Sequence, residues 1–171
     1  MSSMQHTSQS MSNLRSTEEQ NKQVLRRFTE EIWNKGKLDQ IGEFVAANHM
    51  NHPAASAPDL GQGSQALGQL VSLYRTAFPD ASLTIEDQIA EGDRVVTRWT
   101  ATGTHRGEFQ GIPPTGKEVA FSSIEIDRMV DGKVAEHWFE MDLLGLMRQL
   151  GAIPEPEQSE EASVALYSLG N

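Results

Sequence analysis

A carboxylate and an imidazole placed side by side on a β-hairpin make an acid/base unit, and Glu125 and His137 have the spacing for it. Glu118 to Met129 and Lys133 to Met141 each alternate with a period of two, and Val130-Asp131-Gly132 reads as the turn between them. A three-residue loop with Gly132 in the left-handed conformation makes Met129 face Lys133, and counting back sets Glu125 opposite His137. Phe139 and Met141 share that face by the same alternation. In an apolar setting the carboxylate orients the ring and raises its pKa, so His137 is the expected acid or base and Glu125 its support. A two-residue loop would instead set Glu125 against Trp138 and part it from His137. The same pair also fits a purely structural reading, an interior histidine tied to a carboxylate for stability.

Three further groups bear on a site. Arg98 and Trp99 are adjacent on the longest expected strand, so only one of them points inward; an inward Arg98 would stabilise a carbonyl or enolate oxygen. His49 and His52 lie three apart, a spacing that metals use, but no third ligand accompanies them and no metal is expected. Nucleophilic catalysis has little support: there is no cysteine, no Gly-x-Ser-x-Gly elbow, and Ser122 and Ser123 have no activating context. The glycines between 103 and 116 do not join a strand to a helix with dinucleotide spacing, so no cofactor is expected.

The elements that must position these residues are legible from periodicity. Thr17-Glu18-Glu19-Gln20 has the form of a capping box, and Val24, Leu25, Phe28 and Ile32 follow at helical spacing until Gly36. A short second helix covers about Leu38 to Ala46, and 48–63 reads as a long loop holding both histidines and two prolines. A third helix begins near Ser64 with Leu67, Leu70, Val71, Tyr74 and Phe78 as its stripe, and Pro79-Asp80 ends it. The period then changes to two: a strand around Leu83 to Ile89, a turn at Glu91-Gly92-Asp93, and strands over Arg94–Thr104, Glu118–Met129 and Lys133–Met141. Asp142 caps a last helix, Leu143 to Leu150, ended by Gly151. Three helices followed by about four antiparallel strands, without βαβ alternation, predict an α+β cone: a curved antiparallel sheet with helices packed in its concavity and a ligand pocket inside.

The chain has 171 residues, which suits one domain, and its formal net charge of −10 disfavours nucleic acid and anionic membrane surfaces as partners. No apolar run approaches the roughly 20 residues of a membrane helix. The start of the chain lacks the pattern of a signal peptide, so a cytoplasmic location is expected. Residues 1–16 read as a disordered arm, 17–153 as the domain, and 154–171 as an acidic tail with a small apolar patch at Val164–Leu169.

Several strings carry a resemblance. They are Phe28-Thr29-Glu30-Glu31-Ile32-Trp33-Asn34-Lys35-Gly36, Ala77-Phe78-Pro79-Asp80, and Gly103-Thr104-His105-Arg106-Gly107-Glu108-Phe109 running into Gly111-Ile112-Pro113-Pro114-Thr115-Gly116. Asp131-Gly132-Lys133-Val134 with Glu136-His137-Trp138, and Asp142-Leu143-Leu144-Gly145-Leu146 with Arg148-Gln149-Leu150-Gly151, complete the set. Over about 20–153 the chain resembles the SnoaL-like polyketide cyclase and ester cyclase family of the nuclear transport factor 2-like superfamily. The resemblance implies a cone fold, pairing of two copies through the sheet, and a polar residue at the pocket mouth, for which His52 is the candidate. It also implies an acid/base aspartate two residues after His137 and a histidine at position 125; this chain has Phe139 and Glu125 there.

The expected function is therefore cofactor-independent acid/base chemistry on a small apolar or aromatic carbonyl compound, such as aldol-type cyclisation or isomerisation. His137 and Glu125 would do the chemistry, with His52, Phe139, Met141, Arg98 and Trp99 contacting substrate. The alternative is a non-catalytic binding or assembly module that has lost the cyclase aspartate.

Overall fold

The computed structural model describes residues 2–52 and 61–154, with side chains from position 13 onward. Helix α1 (Ser2–Phe28) continues into a π-helical turn (Thr29–Asn34), and a 3₁₀ turn (Leu38–Gln40) leads into the short α2 (Ile41–Phe44). Strand β1 (Val45–His52), helix α3 (Ser64–Ala77), strands β2 (Ser82–Glu91), β3 (Arg94–Thr104), β4 (Glu118–Val130) and β5 (Lys133–Met141), and helix α4 (Leu143–Leu150) follow. The strands form one sheet in the order β1-β5-β4-β3-β2, curved around the helices, so the α+β cone is observed.

Two local expectations fail at the start. Helix α1 begins at Ser2, so 2–16 is continuous with it rather than an arm without structure. Thr17 is consequently mid-helix: its hydroxyl donates to the Asn13 carbonyl at 3.0 Å, the back-bonding that a threonine makes when no free helix end is near. The tail and its apolar patch lie outside the described residues.

The sheet has five strands where about four are expected, because Val45–His52 is a strand rather than the end of a helix and the start of a loop. Only β1 pairs in parallel, with β5, matching Asn51 to His137 and His52 to Trp138. No clean alternation marks it, since all of its residues but Val45 and Met50 are polar or small.

The β4–β5 connection decides the site. Asp131 and Gly132 both have positive φ, 50° and 73°, as a two-residue type I′ turn requires, and Val130 pairs with Lys133. A bulge then intervenes: Met129 faces Val134, but Arg128 faces Glu136, leaving Ala135 as the extra residue. From there inward Asp127 faces His137 and Glu125 faces Phe139. The expected three-residue loop and its Glu125–His137 pairing are both corrected. Because the bulge restores the parity, Glu125 and His137 still share the inner face as diagonal neighbours.

Two apolar clusters fill the cone. One joins Leu25, Phe28 and Ile32 to Leu70, Val71, Val95 and Val134; the other joins Phe78, Ala101, Phe121, Leu146 and Leu150. Trp33 and Tyr74 pack against both. Trp33 is held there by the clamp behind it: Arg75 donates to the Trp33 and Asn34 carbonyls at 2.7 and 2.9 Å, and the Asn34 amide bonds both backbone groups of Leu83. At the far end Asp142 accepts from the Gly145 N–H at 2.8 Å and caps α4 as expected.

Helix α3 and the loop after β3 meet at Gly107, whose N–H donates to the Ala77 carbonyl at 3.0 Å. A Cβ at Gly107 would stand 2.2 Å from the Thr76 carbonyl oxygen, and backbone on both sides leaves no flexible atom to yield. Gly107→Ala is expected to destabilise the fold by roughly 1–3 kcal/mol, as overpacked sites do, read as a lower urea midpoint.

Candidate active site

Between the two apolar clusters lies a pocket that is partly open to solvent. Its walls are aromatic: Trp33, Tyr74 and Phe78 from the helical side, Trp99, Phe121 and Phe139 from the sheet. Tyr74 reaches Met141 Sδ with its hydroxyl at 3.2 Å, and burial pushes its pKa up to about 12, so it is a neutral phenol. Besides Tyr74, the ionisable residues in the lining are Glu125, His137 and, beside the clamp, Arg75.

His137 Nδ1 lies 2.9 Å from Asp127 Oδ1. Asp127 is 2% exposed and sits behind the imidazole, away from the pocket lining. Burial disfavours the charged ring, but the Asp127 charge and hydrogen bond, with Glu125 adding, outweigh it and raise the His137 pKa above 6.5. Glu125 Oε2 accepts from the Trp99 indole N–H at 3.0 Å. Burial first, and the like charge of Asp127 second, push the Glu125 carboxyl up to about 7 against the pull of His137 and Trp99. The pocket thus holds an imidazole biased towards its protonated form beside a carboxyl poised near neutrality. One can give a proton while the other takes one.

Of the residues expected to contact substrate, Trp99, Phe139 and Met141 line the pocket with Glu125 and His137. Phe139 lies against His137, ring centroids 5.5 Å apart and 27° between planes. Arg98 does not reach the pocket: it pairs in register with Ile124, on the opposite face from Trp99. His52 is also outside the pocket. It shares the outer face with Trp138, stacked at 4.6 Å, and meets Glu136 at 3.2 Å. The physical reason is the strand itself, which turns successive side chains to opposite faces and leaves His52 outside where a loop would have been free to fold in. His49 points the other way and is fully buried, so the two histidines do not converge on a metal. Among the described residues no three His, Asp or Glu side chains are grouped as a metal would need.

Sequence reasoning missed Asp127 as the partner of His137. The signal was present, since Asp127 stands two residues from Glu125 and shares its face, but the bulge that aligns it with His137 has no sequence mark. Tyr74 falls on the apolar stripe that the sequence predicts for α3, and its hydroxyl is what distinguishes it there.

A family model described as SnoaL-like polyketide cyclase matches residues 23–150. Nogalonic acid methyl ester cyclase of Streptomyces nogalater is 32% identical over 120 residues, covering 70% of this chain and 89% of that protein. Aklanonic acid methyl ester cyclase DnrD of Streptomyces peucetius is 32% identical over 136 residues, 78% of this chain and 93% of the relative. Among solved structures, TsrD from Streptomyces laurentii superposes with a TM-score of 0.71 at 31% identity, covering 78% of this chain and 96% of that one. AclR from Streptomyces galilaeus gives 0.74 at 32% identity, covering 89% and 94%.

The raised Glu125 pKa has a measurable consequence. A group whose folded pKa exceeds its unfolded value contributes stability at low pH that is lost as pH rises through the folded value, here from 4.5 to about 7. Glu125→Gln removes that loss. The variant should match the wild type near pH 4 and exceed it at pH 8 by on the order of 2 kcal/mol. Chemical denaturation across that range is the measurement, and parallel profiles would refute the assignment.

Proposed function

The chain belongs to the SnoaL-like polyketide cyclases, and we propose that it carries out cofactor-independent proton transfer on a small, largely apolar carbonyl compound, closing a ring by an aldol-type step. The observation that carries this reading is that Glu125 and His137 line one aromatic-walled pocket while the buried Asp127 fixes the imidazole. In the step, the Glu125 carboxylate takes the proton from the carbon beside a carbonyl. The resulting enolate attacks a second carbonyl, whose oxygen receives the proton of the His137 imidazolium. Glu125 ends protonated and His137 neutral, and exchange with solvent after product release restores both. The Tyr74 hydroxyl is a further donor for a substrate oxygen, and the flat walls suit a planar, conjugated substrate. His137 is the same acid/base residue that the sequence suggests; Glu125 changes from its orienter to its counterpart, and Asp127 takes the orienting role.

A second reading, a binding module without turnover, draws on Phe139. Its ring covers the imidazole at the position where the resemblance implies an aspartate. The methyl esters of aklanonic and nogalonic acid, named for the relatives, are the probes. Proton-transfer catalysis predicts a ring-closed product and a rate that rises through about pH 7 as Glu125 ionises and falls above the raised His137 value. Glu125→Gln and His137→Ala should each lower kcat by about 10²- to 10⁴-fold in a folded protein. A probe that binds and returns unchanged would assign the second reading.

We also propose a homodimer through the outer sheet face, where Ile89, Ile124 and Ile126 stand 65%, 52% and 37% exposed. Sedimentation should give a dimer that Ile124→Glu converts to a monomer; a wild-type monomer would refute it.

A further inference from the structure

His49 has no part in that proton transfer, yet it is the polar side chain least accounted for in the interior. The residue is 0% exposed, and neither Nδ1 nor Nε2 has a hydrogen-bond partner among the described residues. Its ring centroid lies 6.3 Å from that of His137, with 39° between the planes. Beside them, Asp127 spends Oδ1 on His137, while Oδ2, also buried, has no partner. A second buried oxygen without a partner, Oδ1 of Asn51, comes from the strand position paired with His137, and period two puts His49 on the same face as Asn51.

These orphaned groups are chemically complementary. A neutral imidazole carries one N–H and one lone pair, whereas the Asp127 and Asn51 oxygens only accept. Leaving all of them unpaired in a buried site is costly, and such sets are the usual seats of internal water with about three polar partners. A centroid separation of 6.3 Å is too wide for His49 and His137 to bond directly.

We infer that His49 is a positioning residue for the Asp127–His137 pair, donating its ring N–H to one buried water that in turn bonds Asp127 Oδ2 and Asn51 Oδ1. The water shares the carboxylate charge that would otherwise fall wholly on His137, and it holds the carboxylate in plane with the imidazole. The titratable groups that face His49 are His137 from β5 and Asp127 from β4; His52, turned outward on the same strand, acts on it only through its charge. Burial, then the neighbouring His137, holds the His49 pKa down at about 4, so the ring stays neutral and available as a donor at neutral pH.

The inference rests on His137, oriented by Asp127, serving as the acid of that reaction, and its test needs no substrate, so the two fail separately. Ring resonances of His137 are followed by NMR against pH in the wild type, His49→Gln and His49→Phe, with His49→Leu as a second variant lacking a donor. Without the donor the Asp127 charge acts on His137 alone, and the His137 pKa should rise by about 0.5–1 unit in the Phe or Leu variant. Glutamine keeps an N–H, so that variant should titrate close to the wild type. An unchanged His137 pKa in the variants without a donor, or a shift in the Gln variant as large as theirs, would overturn the proposal.

Discussion

A carboxylate of 2% exposure holding an imidazole nitrogen at 2.9 Å is the constraint on which the rest of the cone depends. Taking an ionised aspartate out of water is strongly unfavourable unless charge-assisted hydrogen bonds replace its hydration. The protein meets that requirement with His137 on the adjacent strand and does so at the inner boundary of an aromatic pocket. The imidazole is thereby both the partner that makes the buried aspartate tolerable and a group that lines the pocket. A substitution that removed one partner would leave the other buried and uncompensated, so the lining of the pocket and the stability of the fold are tied together at this point.

The bond exists because of a mismatch in the hairpin that carries it. Asp131 and Gly132 set a tight two-residue turn, which without interruption would align Glu125 with Trp138 and turn His137 away from both carboxylates. The single extra residue at Ala135 shifts the register by one and brings Asp127 level with His137. Bulges beside functional positions commonly re-aim side chains in this way. The parallel strand β1 then closes the other flank of β5, with Asn51 matched to His137. His137 is therefore fixed between two strands.

Around this polar layer the pocket is aromatic, and this decides how its two ionisable groups behave. Water is excluded by Trp33, Tyr74, Trp99, Phe121 and Phe139, so burial pushes the Glu125 carboxyl to about 7 while Asp127 raises the imidazole. Phe139 contributes to that dryness at the position where related cyclases are expected to carry an aspartate. Glu125 brings a carboxylate to the wall from the adjacent strand, as the register neighbour of Phe139.

Most of the fold was legible from local pattern. The switch from a period of 3.6 to a period of 2, the turn at Glu91-Gly92-Asp93, the Asp142 cap and the Gly151 stop all depend on neighbours within a few residues, and each stands where the sequence puts it. The inward face of β5, with His137, Phe139 and Met141, was legible for the same reason, since alternation fixes it once the strand is known. What tertiary structure alone decided was pairing between distant segments. The bulge at Ala135 gave His137 to Asp127. The parallel partner of β5 came from Val45–His52, which has no strand pattern of its own, and it turned His52 outward and His49 inward. Local sequence determines which face a side chain takes within its element; which carboxylate meets which imidazole depends on register, and register is settled by packing across the whole sheet.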